Sequence, residues 1–201
     1  TRVIFAASSS AYGDQKQSPK HEGMVPMPIS PYASSKVACE MYLRDYAAVY
    51  GMQTLCLRYF NVFGPHQDPA SHYAAVVPLF ITGVLGGKTV HIDGDGEQSR
   101  DFTFIENVIE ANILAATADG VEGEVMNVGV GRANTINDLF EAVCAITGRT
   151  VPVERGVSRP GDVRHSLADI SKARKLLGYD PKFDLTRGLE RTIEYLRTRG
   201  A

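Results

Sequence analysis

Two unbroken apolar runs mark the first third of the chain, Val3-Ile4-Phe5-Ala6-Ala7 and Thr54-Leu55-Cys56-Leu57. Continuous runs of this length, without polar alternation, are what strands covered on both faces of a parallel sheet look like. The first breaks into Ser8-Ser9-Ser10-Ala11-Tyr12-Gly13, and the second runs on through Arg58-Tyr59-Phe60-Asn61 to Gly64-Pro65. Between them the period changes. Ser30 is a good helix cap and Pro31 suits the first helical position, where a missing N–H costs nothing. The helix they open reads on to Tyr50 and stops at Gly51, with Val37, Ala38, Met41, Tyr42, Ala48 and Val49 as a broad apolar face. Asp14 to Ser30, punctuated by Pro19, Pro26 and Pro28, reads as an ordered surface connection in which Glu22 is a solvated charge.

Past Pro65 the pattern is less regular. His66 to Tyr73 is a polar loop, and Ala74 to Leu85 is apolar enough for a buried helix ended by Gly86-Gly87. Thr89 to Ile92, the turn Asp93-Gly94-Asp95-Gly96 and Ser99 to Phe104 predict a hairpin. Glu106 to Ala118 is an amphipathic helix, Glu124 to Val128 a strand, Thr135 to Thr147 a helix stopped by Gly148, and Val151 to Glu154 a short strand. Two helices close the chain, Ile170 to Leu177 after a capping Asp169 and Leu185 to Arg199 after a capping Asp184.

Composition narrows the function. The 201 residues are 44% hydrophobic with a formal charge of −2, which fits one or two globular domains and gives no field that would attract nucleic acid. No apolar run is long enough for a membrane span. Cys39, Cys56 and Cys144 are dispersed within apolar patterns and read as reduced thiols. The five histidines lack ligand spacing, and the aspartates of the Asp-Gly-Asp-Gly turn lack the further oxygens that calcium needs, so no metal site is expected.

The chemistry lies in Ser30-Pro31-Tyr32-Ala33-Ser34-Ser35-Lys36, which puts Tyr32 and Lys36 on one helix face. A phenol titrates near pH ~10, and bringing it to neutrality takes about 3 pH units, roughly 4 kcal/mol. A neighbouring ammonium supplies part of that by favouring the phenolate. An isolated Tyr-x-x-x-Lys is ordinarily just a helical pair with solvated tips; here it stands beside the serine cluster at the carboxyl end of a strand, where ligands of open α/β sheets bind. Strand, serine cluster, Tyr-x-x-x-Lys helix and a strand ending in Arg58-Tyr59-Phe60-Asn61 resemble the extended short-chain dehydrogenase/reductase family, and within it the nucleotide-sugar epimerases.

The resemblance implies an α/β fold: the C-terminal part of a Rossmann-like parallel sheet over residues 1–65, then a small mixed α/β lobe over 66–201 that binds a nucleotide sugar. It implies NAD as cofactor, Ser8, Tyr32 and Lys36 as catalytic residues, and Tyr32, Lys36 and Tyr59 at the cofactor. Ser8, Ser9, Asn61, Arg100, Arg159, Asp162 and Ser166 would hold a UDP-sugar, with Asp101 orienting Arg100. Arginine's planar fork suits the diphosphate. In similar epimerases the residue matching Ser166 borders the substituent on carbon 2, a tyrosine where only unacetylated sugars are accepted and a small residue where N-acetylated ones are. Dehydratases carry Thr-Asp-Glu where this chain has Ser8-Ser9-Ser10, so epimerisation is expected over dehydration; UDP-glucuronate decarboxylation and a non-catalytic NAD-binding sensor are the alternatives. No Gly-x-Gly-x-x-Gly is present. The family carries its glycine-rich turn most of a domain before the serine-bearing strand, so residues 1–201 are expected to be the C-terminal portion of a cytoplasmic, homodimeric enzyme, inactive when expressed alone.

Overall fold

The computed structural model describes residues 2–68, 76–157 and 163–198. Its central layer is a parallel three-stranded sheet in the order β1-β2-β7, built from β1 (Arg2–Ser8), β2 (Gln53–Tyr59) and β7 (Glu124–Val128). β1 runs beside β2 with Ser8 opposite Tyr59, and β2 beside β7 with Leu57 opposite Met126. β2 is buried on both faces, Leu55 and Leu57 on one and Thr54, Cys56 and Arg58 on the other, as a strand covered by helices requires. β1 departs from the expectation, with Val3, Ile4 and Phe5 half-buried and Ala6 exposed.

The crossover between β1 and β2 is α1 (Pro31–Tyr50). The Ser30 side chain accepts the Ala33 N–H at one end, and Gly51 adopts a left-handed conformation at the other, with its N–H on the Ala47 and Tyr46 carbonyls. Its expected apolar face is a correction. Of that set only Val37 is buried, while Met41, Tyr42 and Val49 are exposed along with Tyr46 and Tyr50. The face turned to the sheet is Ala33, Val37 and, unexpectedly, Glu40.

The remaining strands are short and pair over long distances. β3 (Val62–Phe63) pairs in parallel with β6 (Thr103–Phe104), and β4 (Val90–Asp93) in parallel with β9 (Val153–Gly156). β5 (Ser99–Arg100) lies between β8 (Asn134–Thr135), antiparallel, and β10 (His165–Ser166), parallel. The predicted hairpin therefore does not form. Gly94 and Gly96 do make the tight turn, with φ of 71° and 78°, but β4 takes β9 as its partner and the chain beyond the turn leaves for β8 and β10.

Helices α2 (Val76–Leu85), α4 (Ile136–Thr147) and α6 (Leu185–Thr198) enclose the core of this lobe, around Phe80, Ile81, Ile92, Leu139 and Leu189. Thr135 and Asp138 form a reciprocal capping box at the start of α4. α3 (Ile105–Thr117) and α5 (Ser171–Leu177) instead pack into the second core, with Leu57, Met126 and Tyr179. Asp169 does not occupy the cap position of α5, which falls to Ile170, although its Oδ1 accepts the Ser171 N–H at 2.9 Å. No helix among the described residues is long and apolar enough to cross a membrane.

Candidate active site

Tyr32 is the second residue of α1 and is 58% exposed. One helical turn on, the Lys36 ammonium donates to the Ala6 carbonyl of β1 at 2.8 Å. It lies 4.9 Å from the centre of the Phe5 ring and 5.7 Å from that of Tyr32. That one backbone bond pins the ammonium against the carboxyl half of β1, where it stands beside the phenol. The serines close the same strand end. Ser8 caps a 3₁₀ turn over Ser9–Tyr12, its Oγ accepting the Ser10 N–H at 3.2 Å with the Ser10 hydroxyl 2.8 Å away.

A small cavity of about 190 Å³ gathers much of the predicted sugar side. Ser9, Asn61, Arg100 and Ser166 all line it, with Tyr12 and Lys20. Arg100 and Ser166 meet there because β10 pairs with β5 in the register that sets them opposite each other. Asn61 is held at a φ of 26°, a strained value for a side chain bearing a Cβ, and its carbonyl accepts the Thr103 N–H. Asn61 and Arg100 also line an adjoining cleft of about 500 Å³, whose walls include Val90, His91, Gln98 and Phe102. Neither cavity is lined by Tyr32 or Lys36, which stand on the exposed helix start.

Asp101 and Glu22 depart from expectation. Asp101 does not orient Arg100. It is fully buried, and its carboxylate accepts the N–H groups of Val130, Gly131 and Ala168 at 2.8, 2.9 and 3.2 Å. Burial pushes its pKa up to about 6 against the pull of those three donors. Tyr59 is half-buried, its hydroxyl paired with Asn112 of α3. Glu22 is no solvated charge, for its Oε1 accepts the Asn127 N–H of β7 at 2.7 Å. Arg159 and Asp162 lie outside the described residues. Lys20 and Tyr12 were not singled out as site residues in the sequence; the Tyr-Gly that ends the serine cluster was the available signal for Tyr12, and Lys20 had none. Among the described residues no group of three His, Cys, Asp or Glu side chains is arranged to hold a metal ion, and the three cysteines are free.

Residues 1–129 match the model of the NAD dependent epimerase/dehydratase family. The chain belongs to that family. This family member is 36% identical over 199 residues to the UDP-glucose 4-epimerase of Mycolicibacterium smegmatis, an alignment covering 98% of this chain and 63% of that protein. Among solved structures it is similar to the UDP-N-acetylglucosamine 4-epimerase of Methanobrevibacter ruminantium in complex with UDP-N-acetylmuramic acid, with 42% identity and a TM-score of 0.94 over 98% of this chain and 63% of that one. It is equally similar to the UDP-glucose 4-epimerase of Thermotoga maritima with UDP-glucose, at 42% identity and a TM-score of 0.94 over 100% of this chain and 65% of that one. The chain thus spans just under two thirds of the length of these relatives.

Proposed function

We propose that the protein to which this chain belongs inverts carbon 4 of a UDP-hexose, with UDP-N-acetylglucosamine and UDP-N-acetylgalactosamine as its pair and the unacetylated sugars alongside. The observation that carries this reading is the juxtaposition at one strand end: a phenol beside a pinned ammonium, a serine turn, and a cavity that collects Ser9, Asn61, Arg100 and Ser166. The donors present suit NAD. Lys36 uses one of its three N–H bonds on Ala6, which leaves others for ribose hydroxyls, and Tyr32, one helical turn away, is exposed. Held there by Lys36 and Tyr32, NAD would supply reversible hydride transfer at carbon 4.

Tyr32 is the acid–base group that takes the proton of the 4-hydroxyl and gives it back, with the Lys36 ammonium beside it. Ser8 aligns the hydroxyl. Arg100 grips the diphosphate with its planar fork, aided by Arg159, and Asp162 takes the ribose. With the nucleotide held by these residues, the sugar would be free to present either face of carbon 4. Ser166 leaves room for an N-acetyl group on carbon 2, in keeping with the N-acetylated ligand of the Methanobrevibacter relative. The homodimer follows from the same family reading. Incubating the full-length protein with UDP-N-acetylglucosamine and following the sugar by NMR tests it: the N-acetylgalactosamine epimer should accumulate to equilibrium. Loss of carbon dioxide from UDP-glucuronate, formation of a stable 4-keto-6-deoxy sugar, or no turnover at all would replace it.

A further inference from the structure

Glu40 extends the stripe of Tyr32 and Lys36 by one more helical step, and unlike them it is buried, at 5% exposed. Its partner is Arg58 of β2, 3% exposed, which donates Nε to Oε1 at 2.9 Å and Nη2 to Oε2 at 2.6 Å. The guanidinium carbon then lies 4.7 Å from the centre of the Tyr12 ring, at the end of the serine turn. Tyr12 in turn donates its hydroxyl to Asn127 Oδ1 at 2.7 Å. Asn127 Nδ2 donates onward to the carbonyls of Lys20 at 2.9 Å and Asp169 at 3.1 Å. One chain of contacts thus runs from the Tyr32 helix, across the central strand, to the serine turn and the edge of the sugar cavity.

Stability alone is a poor reason for this arrangement. Desolvating two charges offsets much of their attraction, and well-packed apolar side chains of similar size commonly serve as well. The pair is also incompletely satisfied, for Arg58 Nη1 is buried with no hydrogen-bond partner among the described residues. Burial works against the Arg58 charge, and the hydrogen bonds and charge of Glu40 more than offset it, so its pKa is raised. Tyr12 is pushed up to about 12, chiefly by burial, and so keeps the proton it donates. A planar fork gripped at both carboxylate oxygens and stacked on a ring has one allowed geometry, which an apolar replacement would lack.

We propose that Glu40, Arg58 and Tyr12 are positioning residues, a strut that sets the Ser8 turn at its working distance from Tyr32 and Lys36. The proposal rests on the epimerase reading above. A proton relay misplaced by about 1 Å loses on the order of a hundredfold in rate, so the strut should act on kcat and leave sugar-nucleotide binding alone.

The test uses the full-length protein and an apolar pair. Glu40→Leu with Arg58→Met removes the fork but fills its volume. The double variant should melt within a few degrees of wild type and keep its KM within about threefold, while kcat falls about ten- to a hundredfold. Arg58→Lys, which keeps the charge and loses the fork, covers the case in which the double variant does not fold, and should lower kcat about tenfold with KM unmoved. Wild-type kcat in either folded variant, or a loss confined to KM, overturns the strut while leaving the epimerase reading intact. A wild-type protein without epimerase activity overturns both.

Discussion

The β1–β2–β7 sheet and the lobe of short ladders hold their parts of the site in opposite ways. In the sheet, seven-residue strands in register carry the serine turn, and a twenty-residue helix carries Tyr32 and Lys36 from a capped start. Each reactive group there is placed by an element with many hydrogen bonds of its own. In the lobe, Arg100 and Ser166 sit on two-residue strands that would not persist alone. Their placement depends on single side chains that reach between segments, above all Asp101 and Arg164. Tyr32 and Lys36 are mounted on rigid elements, and the cavity wall of Arg100 and Ser166 is stitched together.

The largest effect should come from cutting such a stitch. Asp101→Ala would strand the N–H groups of Val130, Gly131 and Ala168. Each donor left buried and unpaired costs about 1–3 kcal/mol, against a total of ~5–15 kcal/mol for a domain. The variant should therefore be unfolded or melt far below wild type. An unmoved denaturation midpoint would mean that the ladders hold without it.

On the sheet side, Tyr32→Phe should leave the melting temperature and the affinity for sugar nucleotide near wild type. Turnover should fall by roughly 10²–10⁴-fold, the usual contribution of a general acid–base group. Near-normal turnover would take Tyr32 out of the mechanism and the sheet out of the chemistry.

Ser166→Tyr probes the cavity wall with a smaller, selective effect. A phenol forced into the space of an N-acetyl group costs about 1–3 kcal/mol, or roughly ten- to two-hundredfold in kcat/KM. The acetylated pair should lose that much and UDP-glucose and UDP-galactose little. Equal losses on both pairs would show that Ser166 does not gate the sugar.

The weakest effect, in pH, separates the two stitches by sign. Asp101 titrates at about 6 in the fold against 3.8 when free, so its contribution is full below 3.8 and is lost as pH rises through about 6. Asp95 accepts both arms of Arg164, at 2.9 and 2.8 Å, and its hydrogen bond to Arg164 holds it down at about 2. Its contribution is present above 3.8 and is lost as pH falls toward 2. Asp95 is solvent-exposed, so its share should be slight. Urea midpoints measured from about pH 3 to about 7 should fall between about pH 4 and about 6 in wild type. Asp101→Asn should flatten that fall and Asp95→Asn should not; the reverse assignment would contradict both environments.

Legibility in the sequence divides along the same line. α1 declared both its ends, because Ser30, Pro31 and Gly51 act locally, and β7 was read with its observed bounds, Glu124 to Val128. What failed depended on partners far along the chain. Ser99 to Phe104 reads as the return of a hairpin, but its partners lie at Asn134–Thr135, His165–Ser166 and Val62–Phe63. The apolar stripe of α1 is real, yet periodicity cannot say which stripe faces the sheet when a carboxylate with a buried arginine competes for that side. Glu22 and Asp101 were misjudged for one reason: nothing near them in sequence announces the backbone N–H groups they serve. Of the site, Ser9, Asn61, Arg100 and Ser166 were named from a resemblance, and they meet in one cavity through strand pairing that no local signal encodes.

That pairing has a consequence for how the protein is made. Ser99 and His165, bonded side chain to side chain, stand 66 positions apart. At ~5–20 residues per second a ribosome takes roughly 3–13 s to cover that interval. Throughout it the loop bearing Arg100 has no β10 to lie against, whereas β1, α1 and β2 are already complete. The nascent chain completes the Tyr32 helix early and the cavity lined by Asn61, Arg100 and Ser166 late, and any property that needs that cavity should be among the last to appear during synthesis.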